Sequence, residues 1–150
     1  MARALEVIGE RWSLLIVRDA LFAGVTRFSH FQRGLGIAPN VLAARLETLV
    51  AAGVLRRRPT DEQPGPDEYV LTEKGRDLAG AIVALTRWGD RWAAPGEPPI
   101  LYTHAGCGGA VRAELVCAGC GATDPADLHA GPGPGMPPGH VEARHRRRAG

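Results

Sequence analysis

The sequence predicts a mainly α-helical domain with one small β-hairpin, followed by a small zinc-ribbon-like β-hairpin unit and a disordered tail. Apolar residues recur at three- and four-residue steps through most of the first 93 residues, which is the period of helices with one buried face. Composition changes at residues 94–99, and glycine and proline dominate after Pro125. We therefore expect a compact domain over residues 1–93, a module over residues 100–124 and a flexible basic tail over residues 125–150.

Four helices are expected before the hairpin. Helical spacing on either side of Gly9 predicts the first two, and Gly24 follows the second. A short third helix over residues 27–35 ends at glycines, and Pro39 suits the first position of a fourth helix over residues 39–52. Glycine at the next position is the usual signal for the end of a helix. The apolar stripe of the fourth helix consists of Leu42, Leu46, Leu49 and Val50.

Two strands and a long helix complete the first domain. Residues 54–58 and 68–71 predict a β-hairpin whose loop is rich in proline and glycine. Thr72 can cap a long final helix, in which apolar residues recur at helical spacing as far as Trp92. We expect Trp88 and Trp92 to lie in the core or in a dimer interface, because large aromatic side chains dominate packed interfaces.

Composition limits the class of protein. A chain of 150 residues, 45% apolar and 23% charged, fits a soluble domain with a small appendage and excludes a large multidomain enzyme. Its apolar runs fall far short of the roughly 20 residues that span a bilayer, so we expect no membrane segment. The first twelve residues show no secretory signal, and we expect a cytoplasmic protein.

The third and fourth helices have the pattern of a DNA-binding helix-turn-helix. In that motif the second helix enters the major groove. Asparagine can read adenine there, arginine can read guanine or hold a phosphate, and small apolar side chains can touch a thymine methyl. On a helical wheel, the residues away from the apolar stripe or on its flank are Asn40, Val41, Ala44, Arg45 and Thr48. An ordinary pair of amphipathic helices fits the same pattern equally well.

The hairpin that follows makes the arrangement that of a winged helix. Arg56, Arg57 and Arg58 lie at its base, within reach of a phosphate backbone. Three consecutive arginines are equally typical of a solvated edge strand. Phosphates would repel the acidic residues of the loop, which are Asp61, Glu62, Asp67 and Glu68.

These segments resemble the HxlR-type transcriptional regulators, which belong with the MarR-like winged-helix proteins. The resemblance covers residues 3–93 and lies in LEVIGERWSLLIVRDAL, RFSHFQRGLGIAPNVLAARLETLVAAGVLRRR, EYVLTEKGRDL and ALTRWGDRW. It implies a homodimer formed by terminal helices, with paired recognition helices in successive major grooves. By position, Arg27 and Ser29 would contact phosphate, and the arginine strand would support the wing. The residues that would face the bases are Pro39, Asn40, Val41 and Arg45.

The chain departs from the family pattern at three places. Many relatives have a cysteine just before the first helix that some use as a thiol sensor, whereas this sequence has no cysteine before Cys107. We expect no sensing by that thiol unless the true start lies upstream. Ala38 stands where a serine often caps the recognition helix, and Asp67 stands where the wing is often basic. We expect these changes to weaken binding without altering the fold.

A second motif predicts a structural metal site. Two ligand pairs, each with two intervening residues, are separated by the nine residues 108–116, for which we expect a hairpin. Such spacing lets one turn present two side chains to one ion, and four ligands imply a closed zinc site. The four predicted ligands are His104, Cys107, Cys117 and Cys120. Reduced thiols in a loose loop are the alternative, and His129 or His140 could replace His104.

The sequence therefore predicts a homodimeric regulator that binds double-stranded DNA sequence-specifically and carries a structural zinc ion. No acid–base pair, nucleophile triad or open metal site indicates an enzyme. The sequence leaves open whether a small-molecule effector binds near Trp88 and Trp92. The basic tail either adds nonspecific DNA affinity or is a solvated charged end. The alternative is a protein-interaction module in which the winged helix and the zinc-ribbon-like unit bind a protein partner. Arg45→Ala should reduce discrimination between DNA sites, and Arg57→Ala should weaken all sites alike.

Overall fold

The computed structural model describes residues 1–60, 65–93 and 96–136. Within these ranges the chain is mostly helical, with one antiparallel hairpin before its last long helix and a smaller hairpin beyond it. The helices are α1 (Ala2–Ile8), α2 (Arg11–Phe22), α3 (Phe28–Leu35), α4 (Pro39–Ala51), α5 (Glu73–Arg76) and α6 (Ala79–Trp92). The strands are β1 (Leu55–Arg58), β2 (Glu68–Leu71), β3 (Val116–Cys117) and β4 (Gly121–Ala122), and a 3-10 turn covers Pro125–Asp127. None of the helices described is long and apolar enough to cross a bilayer.

The recognition helix predicted from the sequence begins and ends close to the expected residues. Pro39 is the first residue of α4. At the other end, Gly53 has a φ of +69°, a backbone conformation that favours glycine. This turn lets the Val54 N–H donate to the Leu49 carbonyl oxygen at 2.9 Å. The helix end therefore leads directly into strand β1, which fixes the wing next to α4.

The long final helix predicted after Thr72 is divided in two. The Thr72 hydroxyl accepts a hydrogen bond from the Gly75 N–H, but the helix that it caps is the short α5, and α6 begins only at Ala79. The Thr72 hydroxyl also lies 2.6 Å from the Gly53 carbonyl oxygen, to which it donates. A side chain on Gly75 would collide with the carbonyl oxygen of Val54. These contacts hold α5 against the end of α4, so the chain turns before α6 starts.

The hydrophobic core lies among α2, α3, α4, β1 and α6. Of the predicted stripe of α4, Leu42, Leu46 and Leu49 are fully buried, whereas Val50 is half-buried against the core. The rest of the core cluster consists of Ile16, Val17, Phe31, Ile37, Val54, Leu55 and Ile82. On α6 the apolar pattern is buried only in part. Trp88 and Trp92 are 61% and 66% exposed, so they do not lie in the core of the chain.

The chain divides into two compact units between Ala113 and Glu114. This boundary falls inside residues 100–124, which the sequence predicts to form one module. In the first unit, the Tyr102 ring lies 4.6 Å from the Phe22 ring, and its hydroxyl lies 3.2 Å from Thr86 Oγ1. These contacts attach the residues that follow α6 to the helical domain.

The cysteine-rich segment differs from the hairpin predicted over residues 108–116. In the first unit, Thr103 pairs with Ala110 around one predicted ligand pair. In the second unit, β3 pairs with β4, so the other ligand pair lies at the turn of that hairpin. The structure therefore has two separate turns instead of one hairpin. In each turn the backbone pairs on either side of one ligand pair, and no strand pairing connects the two ligand pairs. Of the predicted tail, residues 137–150 lie outside the described residues, as do residues 61–64 of the wing loop.

Candidate nucleic-acid interface

The exposed face of α4 consists mostly of small and uncharged side chains. Asn40 and Ala44 are exposed, and Arg45 is half-buried beside them. No described residue forms an ion pair with Arg45. Arginine and asparagine donate the hydrogen bonds that read base edges in the major groove. This face of α4 therefore presents the hydrogen-bond donors of Asn40 and Arg45. No described carboxylate competes with DNA for Arg45.

Two other predicted base contacts are less available. Val41 is half-buried and packs against the core, so only part of its side chain could reach a thymine methyl. The Thr48 hydroxyl donates to the Ala44 carbonyl oxygen at 2.9 Å, which is a bond within the helix.

At the start of α4, Ala38 supplies no side-chain cap, as expected from its replacement of serine. Pro39 itself is exposed.

Arg57 pairs with a carboxylate on the recognition helix. In the hairpin register, Arg57 lies opposite Tyr69 and shares a face with Leu55, which is buried. Its guanidinium donates to Glu47 of α4 and lies 5.9 Å from the Tyr69 ring centroid. The hydrogen bond to Glu47 is the main reason why the pKa of Arg57 is raised. Arg57 therefore ties the wing to α4, a role that the sequence analysis missed.

Glu68 joins the wing to the start of α3. Its carboxylate accepts a hydrogen bond from Arg58 Nη2 at 2.5 Å and another from the Thr26 hydroxyl at 2.9 Å. Arg27 Nε lies 3.9 Å from the same carboxylate. The hydrogen bonds from Arg58 and Thr26 hold the pKa of Glu68 below its ordinary value. Glu68 was expected to repel phosphates, but two arginines offset its charge.

The remaining predicted phosphate contacts are exposed. Arg56 lies on the face of β1 opposite to Arg57, and no described residue forms an ion pair with it. Ser29 is exposed on α3, two residues after the Arg27 cap. Of the three wing arginines, only Arg56 therefore has no carboxylate partner in the described part of the chain. Asp61 and Glu62 of the wing loop fall outside that part.

The predicted zinc ligands occur as two exposed pairs, one in each compact unit. In the first unit, His104 Nδ1 lies 3.3 Å from Cys107 Sγ. In the second, Cys117 Sγ accepts a hydrogen bond from the Gly119 N–H at 3.4 Å. Backbone N–H groups of Gly119 and Cys120 lower the pKa of the Cys117 thiol. All three cysteines are unpaired, and the described residues contain no group of three or more histidine, cysteine or acidic side chains positioned to hold a metal ion.

The fold and the exposed helix define a class of protein. A short helix, a turn, a second helix with a solvent-exposed face and an antiparallel wing are the elements of a winged helix-turn-helix. Over residues 7–97 the chain matches the family described as HxlR-like helix-turn-helix, and it belongs to that family. The resemblance seen in the sequence is confirmed, and the protein is a transcription regulator, not an enzyme.

Several relatives are similar beyond the winged helix. The chain is 46% identical over 138 residues to the uncharacterised HTH-type transcriptional regulator Rv3095 of Mycobacterium tuberculosis, covering 91% of this chain and 87% of that protein. The structure of PA1607 matches with a TM-score of 0.77 and 41% identity, over 87% of this chain and 92% of the other. PA1374 from Pseudomonas aeruginosa matches with a TM-score of 0.65 and 39% identity, over 97% of each chain. Each of these matches covers at least 87% of this chain, so it continues beyond residue 97, where the family match ends, into the cysteine-rich segment.

Proposed function

We propose that this regulator binds a specific double-stranded DNA site as a homodimer, with α4 in the major groove. The observation that carries the proposal is the solvent-facing side of α4, where Asn40 is exposed and the half-buried Arg45 has no ion-pair partner among the described residues. Such side chains specify bases, whereas contacts to phosphate position the protein along the duplex. Arg27, Ser29 and Arg56 are our candidates for the phosphate contacts.

The ion pairs of the wing change the roles that we assign to its arginines. Arg57 and Arg58 already bind Glu47 and Glu68, so a phosphate would have to compete with a carboxylate for each of them. Arg56 has no such competitor in the described residues. We therefore assign the main wing contact with phosphate to Arg56, and to its two neighbours the support of the wing.

Dimer formation is supported by apolar side chains that the single chain leaves in water. Leu85, Trp88 and Trp92 recur at helical spacing on α6 and are all more than half exposed. Leu5 on α1, the other terminal helix, is 54% exposed. Exposed apolar patches of this kind mark interaction sites, and aromatic residues are enriched in their centres. A second copy of the chain is the occupant that we propose.

The DNA proposal is tested by anisotropy of a dye-labelled duplex taken from upstream of the protein's own gene. A duplex of the same composition in scrambled order is the control, and both are titrated across a salt series. Tighter binding to the native duplex that persists as salt rises would support the proposal. Equal, weak binding to both that disappears with salt would contradict it, because only the sequence-independent phosphate term responds in that way.

Arginine variants separate reading of bases from binding of phosphates. We expect Arg45→Ala to reduce the ratio of native to scrambled affinity, with a loss of about 1–3 kcal/mol confined to the native site. We expect Arg56→Ala to weaken both duplexes alike and to lower the salt slope by about one. Arg57→Ala should lower that slope less than Arg56→Ala does, because Glu47 already holds its charge. The matched control is Arg87→Ala, an exposed arginine on α6. Equal losses for Arg45→Ala on both duplexes would remove its base-reading role.

A small effector would find room between α2 and α6. A cavity of about 220 Å³ is lined by Leu14, Leu15, Arg18, Ile82, Leu85 and Thr86. Pockets for drug-sized ligands usually have about 300–1,000 Å³, so the proposed effector is smaller and largely apolar. The alternative function, a protein-interaction module, has no support in the relatives. Its main argument was the acidic wing, and the pairing of Glu68 weakens that argument.

A further inference from the structure

Four polar side chains meet where the wing contacts the residues before α3. Arg58 donates to Glu68 Oε2 from Nη2 at 2.5 Å and from Nε at 3.2 Å. The other carboxylate oxygen, Oε1, accepts a hydrogen bond from the Thr26 hydroxyl at 2.9 Å and lies 3.9 Å from Arg27 Nε. Donors from β1 and from the residues before α3 therefore converge on the two oxygens of one carboxylate.

Main-chain contacts also hold these donors together. The Tyr69 N–H donates to the Thr26 carbonyl oxygen at 2.8 Å, so β2 is bonded to the residues before α3. The register of the hairpin places Arg58 opposite Glu68. Neither contact uses the Glu68 side chain, so we expect the donors to stay together when another anion replaces its carboxylate.

The arginines of this cluster are open to solvent, whereas the carboxylate is more enclosed. The side chains of Arg27 and Arg58 are 40% and 50% exposed, and that of Glu68 is 17% exposed. Counted over these three side chains, two guanidinium groups and one carboxylate leave a net positive charge. Ion pairs at such exposed positions contribute little to stability. A phosphate of a polyanion can therefore displace the carboxylate.

The cluster lies on the face of the wing that carries our main candidate for phosphate binding. Side chains alternate along a strand, so Arg58 shares a face of β1 with Arg56. Arg27, on the other side of the cluster, is also a candidate for a phosphate contact. Carboxylates and phosphates are both oxyanions that accept charge-assisted hydrogen bonds from arginine. The donors that now hold Glu68 are thus those that a backbone phosphate needs.

We propose that Thr26, Arg27 and Arg58 form one binding site for a backbone phosphate of DNA. Without DNA the Glu68 carboxylate occupies this site, and on DNA it gives way to the phosphate. Arg56 remains the main wing contact, and the second site adds to it after the exchange. Glu68 thereby lowers the affinity for DNA of any sequence, because phosphate contacts carry no sequence information. This inference rests on the proposed function, since it requires the wing to lie on DNA.

The test measures binding to the scrambled duplex by anisotropy across a salt series. Glu68→Gln removes the charge of the side chain and keeps its size. We expect this variant to bind more tightly than the wild type at low salt, with a salt slope steeper by about one, because each neutralised phosphate contributes about 0.9. The matched control is Glu73→Gln, which removes the same charge from an exposed position on α5 and should retain the wild-type slope.

A double-variant cycle assigns the gain to Arg58. In an Arg58→Ala background, Glu68→Gln should no longer steepen the slope, because the guanidinium that it releases is absent. Arg58→Ala alone should lower the slope of the wild type, but by less than it lowers the slope of Glu68→Gln. This single variant keeps Glu68, so its result does not depend on how well Glu68→Gln folds.

Three results would overturn the inference. An equal gain for Glu68→Gln and Glu73→Gln would mean that net charge alone is responsible. A gain for Glu68→Gln that survives Arg58→Ala would mean that no phosphate binds at this cluster. An unchanged slope for Arg58→Ala alone would mean the same. Failure of the proposed function is distinguishable, because it equalises the affinities for the native and scrambled duplexes and is not read from the response to Glu68.

Discussion

At the scale of single residues, Ser13 is the clearest mismatch between a side chain and its surroundings. It is fully buried in α2, and its hydroxyl oxygen has no hydrogen-bond partner in the described residues. A buried polar group without a partner costs free energy, and removing it recovers that cost. We expect Ser13→Ala to raise the free energy of unfolding by about 1 kcal/mol, measured by urea denaturation.

Ser29→Ala provides the comparison for Ser13→Ala. Ser29 is exposed on α3, so the same substitution there changes helix propensity without changing a buried group. The gain at Ser13 should exceed the change at Ser29. A decrease in stability on Ser13→Ala would show that the hydroxyl is satisfied in solution.

Glu68 is the residue whose charge state matters most to the wing. Because hydrogen bonds from Arg58 and Thr26 lower its pKa from the ordinary value of 4.5, ionised Glu68 stabilises the folded state above that value. This stabilisation is lost as the pH falls through the lower, folded-state pKa. We expect Glu68→Gln to remove that part of the acid dependence of unfolding, measured on both sides of pH 4.5. An exposed control on α1, Glu6→Gln, should retain the wild-type dependence.

At the scale of secondary-structure elements, the sequence predicts most of the helices and the wing because their signals are local. Pro39 and Gly53 mark the ends of α4, and the strands match their predicted ranges within one residue. The break between α5 and α6 was not predicted, since Thr72 is an ordinary cap signal. The break depends on Gly75 meeting the carbonyl oxygen of Val54, which is a contact between distant parts of the chain.

The candidate site was predictable to the same extent. The exposure of Asn40 and Ala44 follows from helical spacing, and the helical wheel of α4 predicted it correctly. The Arg57–Glu47 pair joins a strand to a helix, and no periodicity relates the two residues. The Arg58–Glu68 pair follows from the register, once the two strands are aligned. Pairing across elements therefore requires the fold, whereas exposure within one element does not.

The close contact at Gly75 gives a prediction about the turn between α5 and α6. Gly75→Ala should lower the free energy of unfolding by about 1–3 kcal/mol, because its Cβ has no room beside Val54 and Leu71. The same change at Gly80, where a Cβ meets nothing within 4 Å, should stabilise the protein by about 0.5–1 kcal/mol. Thermal or urea unfolding of the two variants compares them. Equal effects would mean that the close contact at Gly75 is not present in solution.

At the scale of the whole molecule, the exposed stripe of α6 predicts self-association. Trp88→Glu should place a charge in the interface between two copies and shift the protein from a dimer toward its chain mass of 15.9 kDa. Light scattering after size-exclusion chromatography measures this mass. Arg87→Glu is a neighbouring control that also adds negative charge at an exposed position. A wild-type protein that elutes as a monomer at every concentration would contradict the prediction.

Trp88 and Trp92, the two tryptophans of α6, give the protein an intrinsic fluorescence signal for self-association. An indole ring in water emits at longer wavelength than one enclosed by protein, and Trp88 and Trp92 are more exposed than the half-buried Trp12 in the isolated chain. Dilution that separates two copies should therefore shift the intrinsic emission to the red, with most of the change coming from α6. Intrinsic fluorescence therefore follows the association of two copies in real time and without a label, at low protein concentration.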